Sequence, residues 1–206
     1  MHARTLSRAL VLSIAATAVA SAWAGPVKLA PTSSITIEGD STLHRYQLRA
    51  TRIDAAFEVD PQEPSSLSEA LRKGAVRSAE VTVAVGAFTS GESRLDENMR
   101  KALHASKTPF IKFRLTSYDI APPGKAAGAT AEGFELVLHG VLTVAGGDKQ
   151  VAVPAHASTS PSGLAVTGVL PLRMTDFKVD PPVLMLGTIR CKDEVSVRFE
   201  LDLPAR

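Results

Sequence analysis

Asp40, Ser41 and His44 lie close together in Gly39-Asp40-Ser41-Thr42-Leu43-His44. Those three side-chain types perform nucleophilic hydrolysis when a serine meets a base and an orienting acid. Such triads assemble from distant positions and need an oxyanion site, and the Gly-x-Ser-x-Gly elbow that supplies one in many hydrolases does not occur. The stretch reads instead as turn chemistry between two strands, where Gly, Asp and Ser are at home. His139 and His156 are the second candidate. Pairing outward from a turn at Gly147-Asp148 sets them opposite each other on an outward face, where two imidazoles would begin a Zn²⁺ or Cu²⁺ site. Val137, Val141, Pro154 and Ser158 surround them and offer no third ligand, so no metal is expected. Cys191 is the single cysteine; it excludes an intramolecular disulfide and reads as a partly buried thiol at a strand end. Asp176, Asp180, Asp193 and Glu194 fall in a turn-rich segment and do not stand out as an acid/base pair. Gly86, Gly91, Gly146 and Gly147 form no phosphate-binding loop. No catalytic residue is assigned, no catalytic cofactor is called for, and the chain is expected not to be an enzyme.

The elements that would carry these residues are strands. From Phe134 to Leu172 two hairpins are written. Gly at the first central position of Gly147-Asp148 suits a type II′ turn. That turn sets Val144 opposite Val151, Leu142 opposite Val153, Gly140 opposite Ala155 and Leu138 opposite Ala157. All share one face because side chains alternate along a strand. An even-length loop within Ser160-Pro161-Ser162-Gly163 keeps Leu164, Val166, Gly168, Leu170 and Leu172 on that face. Ser34–Glu38, Arg45–Val59, Val76–Val85, Phe110–Tyr118 and Glu194–Leu203 supply the other strands. Within Arg45–Val59 the apolar parity shifts from even (Tyr46, Leu48) to odd (Ile53, Ala55, Phe57, Val59), which predicts a bulge or bend near Ala50–Arg52.

Eight strands is the number at which a closed barrel just holds side chains or one small ligand. The fold class expected is all-β: a single eight-stranded antiparallel up-and-down barrel, lipocalin-like, with two short helices. Ser66-Leu67-Ser68-Glu69 has the form of a capping box, with Gly74 as the stop. Ser93-Arg94-Leu95-Asp96 opens the second helix, whose Leu95, Met99 and Leu103 make a narrow apolar stripe suited to a barrel mouth or wall. Several inward candidates are small (Gly140, Ala155, Ala157, Gly168, Ala55), and small residues on an inward face leave room for a ligand.

Arg4 and Arg8, the apolar run Ala9–Ala20 and Ala22-Trp23-Ala24 read as a cleavable export signal over residues 1–24, leaving one domain over 25–206. The run is too short to span a bilayer, which takes about 20 apolar residues. The formal charge of +2 rests on that leader, which carries two basic residues and no acid, so the remaining chain is neutral. Neutrality argues against nucleic acid, whose binding rests on phosphate neutralisation. Residues 61–64, Pro-Gln-Glu-Pro, are too short to divide domains, and Ala121–Ala131 reads as a Pro/Gly/Ala loop.

Ser93-Arg94-Leu95-Asp96-Glu97-Asn98-Met99-Arg100-Lys101-Ala102-Leu103, followed by Pro109-Phe110-Ile111-Lys112-Phe113, resembles the central signature of the YceI-like family of exported, lipocalin-like polyisoprenoid-binding proteins. Leu138-His139-Gly140-Val141-Leu142-Thr143-Val144, Lys149-Gln150-Val151 and Met174-Thr175-Asp176-Phe177-Lys178-Val179 match in order and spacing. The resemblance covers Ser34 to Leu203. It implies an elongated lumen holding the apolar tail of a quinone, another isoprenoid or a related amphiphile. Residues 35–44 depart from the family's usual pattern there, so the ligand's identity does not carry over.

Parity and resemblance together nominate Phe57, Val83, Ile111, Phe113, Leu136, Leu138, Leu170 and Phe199 as the apolar lumen. Leu95, Met99, Leu103 and Phe177 are expected at the entrance. The expected function is an exported binding protein, periplasmic or secreted, with an isoprenoid, quinone or other lipid as partner. A non-enzymatic envelope accessory barrel with a filled core is the alternative. A homodimer and transient contacts with a membrane or envelope proteins stay open.

Overall fold

The computed structural model of the chain describes residues 25–60, 66–121, 133–184 and 187–205. The expected leader, residues 61–64 and nearly all of Ala121–Ala131 lie outside them. Along the chain run β1 (Gly25–Val27), β2 (Ser34–Ser41), β3 (Arg45–Ala50), β4 (Asp54–Val59), α1 (Leu67–Arg72), β5 (Val76–Ala84), α2 (Ser93–Ala102), β6 (Phe110–Ile120), β7 (Gly133–Val144), β8 (Gly147–Ser160), β9 (Gly163–Arg173), β10 (Val183–Leu184) and β11 (Ile189–Pro204). Short 3₁₀ turns occupy Val85–Ala87 and Met174–Phe177.

Every strand pair is antiparallel, and the path runs β1-β4-β5-β6-β7-β8-β9-β11-β2-β3, with β10 on β11. This corrects the expected closed, eight-stranded barrel. Ten strands form a curled half-barrel, and among the described residues no ladder joins the end strands β1 and β3. The eight expected strands are present, but Arg45–Val59 is divided. The parity shift is a break in the strand at Thr51-Arg52-Ile53, after which the chain takes new neighbours. β3 pairs with β2, whereas β4 pairs with β5 and β1. A reciprocal backbone bridge between Arg49 and Thr89, at 2.9 and 3.0 Å, ties β3 to the segment that follows β5.

The hairpin faces are as the alternation predicts; the partners are not. The first turn lies at Ala145-Gly146, both at positive φ (49° and 79°), the signature of type I′ rather than II′. Asp148 belongs to the strand and accepts a hydrogen bond from Thr143 Oγ1 at 2.6 Å. Val144 therefore pairs with Gly147, Gly140 with Val151 and Leu138 with Val153. An even displacement exchanges partners without turning a face over. The second hairpin turns at Pro161-Ser162 and sets Ala157 opposite Val166, an even-length loop as expected.

α1 starts as its sequence indicates: Ser66 caps it by accepting from Glu69 N at 3.2 Å, and Gly74 follows at φ +71°. Leu67 and Leu71 pack with Val76, Leu115, Leu136 and Leu203 at one end of the curl. α2 lies at the other end, where Met99 packs with Leu48, Val83 and Phe88. It opens at Ser93 as its sequence indicates, but Glu92 holds the cap position and no side chain caps there. Asp96 turns back instead and accepts from Ser90 N and Oγ, both at 2.7 Å, and from Thr89 Oγ1 at 2.8 Å. Burial raises the Asp96 pKa, but these hydrogen bonds outweigh it and hold the carboxyl below its ordinary value.

Candidate functional site

The inward faces of the curled sheet, together with both helices, enclose one elongated cavity of about 270 Å³. β11 shows why the sequence builds it: Val195, Val197, Phe199, Leu201 and Leu203 alternate onto the wall. At about 3.3 Å per residue that run is roughly 26 Å long. Its volume lies just under the ~300–1,000 Å³ of pockets for drug-sized ligands, so the shape suits one slender chain.

All twelve residues nominated from the sequence lie on this wall. Phe57, Val83, Ile111, Phe113, Leu136, Leu138, Leu170 and Phe199 line its length. Leu95, Met99 and Leu103 face it from α2, and Phe177 from the 3₁₀ turn after β9. None of the five small residues expected to leave room is on the wall. Gly140 lies beneath the Phe113 ring, whose atoms a Cβ there would meet at 2.6 Å. Gly168 lies beneath Phe199 in the same way, at 2.4 Å, and the three alanines are buried. Each glycine lets a cross-strand aromatic lie flat along the sheet. The glycines thus keep the cavity wide by flattening its walls, not by leaving hollows in them.

Sequence reasoning missed four polar side chains on this wall: Tyr46, Asn98, Arg173 and Cys191. A signal existed for two. Tyr46 shares its even parity with Leu48, and Cys191 shares the odd parity of Val195 to Leu203. Tyr46 pairs with Gly39 and lies across it; a Cβ on Gly39 would fall 2.3 Å from the hydroxyl. The hydroxyl and the Cys191 thiol are close enough to perturb each other. Burial raises the Tyr46 pKa strongly, with Cys191 and Asp40 adding to it. Burial also raises the Cys191 thiol, with the neighbouring Tyr46 hydroxyl pulling the other way. Both groups stay protonated at neutral pH.

The candidates for chemistry resolve differently. Ser41 accepts from Leu43 N and His44 N and donates to the His44 carbonyl at 2.8 Å, a turn as expected. The His44 ring bonds the Arg45 carbonyl, and Asp40 pairs with Arg45 and Lys192. His139 and His156 are not opposite each other, contrary to the expected register. His139 pairs across strands with Ala152 and bonds Asp119 at 2.9 Å; His156 faces Glu135 and bonds it at 2.8 Å. Among the described residues no three His, Cys, Asp or Glu side chains group as a metal site.

A family model described as a YceI-like domain matches residues 29–203. Among solved structures, the chain is similar to BcnA of Burkholderia cenocepacia, at 20% identity and TM-score 0.61, covering 84% of this chain and 98% of that one. It is similar to a polyisoprenoid binding domain from Saccharophagus degradans implicated in plant cell wall breakdown, at 12% identity and TM-score 0.62, covering 89% and 99%. A Campylobacter jejuni YCEI protein matches at 16% identity and TM-score 0.53, covering 77% and 84%. At these identities the likeness concerns the fold. No curated protein matches the chain in sequence.

Proposed function

This chain belongs to the YceI-like family, and we propose on that premise that it is an exported, non-enzymatic binding protein. It holds the apolar tail of a polyisoprenoid, quinone or similar amphiphilic lipid. The observation that carries this reading is the elongated, apolar-walled cavity of about 270 Å³. A core that leaves such a volume unpacked gives up roughly 6 kcal/mol at about 24 cal/mol per Å³. A slender apolar chain would return much of it. Covering about 400 Å² of tail at about 25 cal/mol per Å² yields on the order of 10 kcal/mol before the costs of association. That leaves room for micromolar affinity. The Saccharophagus degradans neighbour, a polyisoprenoid binding domain by description, points to the same class of ligand. The leader-like residues 1–24 support export to the periplasm or beyond. A filled-core accessory protein has less support, because the side chains do not close the cavity.

Organic extraction of protein purified from its native source, followed by mass spectrometry, tests the reading. A chain-like lipid in stoichiometric amount is the expected result. A lipid-free extract, together with no binding of added isoprenoids, would overturn it.

A further inference from the structure

The two ends of the cavity differ in chemistry. At the α1 end the wall is Leu67, Leu71, Val76, Leu136, Val166 and Leu203, and among the described residues it carries no polar side chain there. The four polar wall residues lie toward the other end. Tyr46 packs against the cluster that holds Met99 of α2, and Asn98 precedes Met99. Arg173 leads into the 3₁₀ turn that carries Phe177, and Cys191 lies two residues before Asp193, whose carboxylate accepts from Thr175 of that turn. Antiparallel pairing fixes this polarity: β9 runs from Leu164 at the α1 end to Arg173, while β11 returns from Cys191 to Leu203.

All four groups can donate a hydrogen bond. Tyr46 and Cys191 keep their protons, and Asn98 and Arg173 carry N–H groups. Among the described residues no Asp or Glu lines the cavity. Asp40, which acts on Tyr46, is held by Arg45 at 3.3 Å and Lys192 at 3.4 Å. Glu194 lies 3.9 Å from Arg173, with both side chains largely in solvent. The wall at this end therefore presents donors and one cation, Arg173, which both Glu194 and Asp193 also face.

We infer that the cavity orients its ligand: the tail tip lies against α1, and a head bearing an oxygen acceptor (a carbonyl or an acid group) lies at the α2 end against Tyr46, Asn98, Arg173 and Cys191. This inference rests on the binding reading above. A cationic head finds no carboxylate to pair with on that wall among the described residues.

Two probes with the same tail and opposite heads, hexadecanoate and hexadecylamine, test it by calorimetry on the purified chain. Wild type is expected to favour hexadecanoate by about tenfold or more, the worth of one hydrogen bond involving a charged group. Combining Tyr46→Phe with Arg173→Gln should bring the ratio toward one. Phe keeps the ring over Gly39, and an unchanged thermal midpoint would show that the variant folds. Hexadecanoate carrying a diazirine at its terminal carbon should crosslink to Leu67, Leu71 or Leu136. Equal or better binding of the amine, an undiminished preference in the double variant, or terminal-carbon crosslinks at the α2 end would overturn the orientation. Failure of wild type to bind either probe would instead overturn the binding reading itself.

Discussion

The α1 and α2 ends close the same cavity by different physics. α1 is held by burial: Leu67, Ala70 and Leu71 sink into a continuous apolar cluster. The Tyr118 hydroxyl adds a shared donation to the Leu71 carbonyl at 3.1 Å and the Ala70 carbonyl at 3.5 Å. α2 rests on Met99 and on a charged knot, in which Asp96 gathers three hydrogen bonds from Thr89 and Ser90. Thr89 in turn carries the bridge to Arg49. Apolar burial is non-directional and insensitive to pH, whereas a carboxylate knot depends on its protonation state. The α1 end has the character of a fixed floor and the α2 end that of a conditional closure.

Five changes bear on that contrast. Leu136→Ala at the α1 end should have the largest effect, about 2–5 kcal/mol by urea unfolding, as for other fully buried leucines. Leu172→Ala, half-buried at the α2 end, should cost about 1 kcal/mol. Equal costs would erase the distinction between a packed floor and a looser mouth. Asp96→Asn comes next, at about 1–3 kcal/mol from weakened charged hydrogen bonds. The pH dependence has a definite sign. The Asp96 pKa is depressed in the fold, so its contribution is complete above the ordinary carboxylate value and lost as pH falls through the folded value. Hydrogen exchange should show α2 opening on acidification, with a smaller pH response in Asp96→Asn.

Gly39→Ala should cost about 1–2 kcal/mol as overpacking, the Tyr46 ring turning into the cavity to make room. Its informative readout is a weaker hexadecanoate preference at the α2 end. Tyr118→Phe should be smallest, about 0.5–1.5 kcal/mol for a single hydrogen bond. A larger loss would mean that α1 depends on polar anchoring after all.

The sequence made some of this legible and hid the rest for identifiable reasons. Alternation placed Val195 through Leu203 and both hairpin faces correctly, because a face needs only parity. Partners need the turn, and Ala145-Gly146 competes with Gly147-Asp148 in a run where either could turn. The error moved the ladder by an even step, so the cavity face survived while the His139–His156 pairing did not. The parity shift in Arg45–Val59 was visible, but it marks a break that leaves the sheet open, not a bulge within a closed ring. A lumen was expected to require that ring. Here the chain's own passage through Thr51-Arg52-Ile53, the Arg49–Thr89 bridge and the two helices accompany a cavity without it. Gly140 and Gly168 misled because the rings that cover them come from other strands. Tyr46 and Cys191 meet only in three dimensions, so their joint role had no local signal.

The central claim is that one slender apolar chain occupies this cavity along its length. Leu170→Trp tests it most directly, since the half-buried wall position can take a larger ring while the sheet stays folded. Binding of the neutral apolar dye N-phenyl-1-naphthylamine should weaken by about tenfold or more, the equivalent of roughly 1.4 kcal/mol, with an unchanged far-ultraviolet spectrum. A folded Leu170→Trp protein that binds the dye as tightly as wild type would contradict the account.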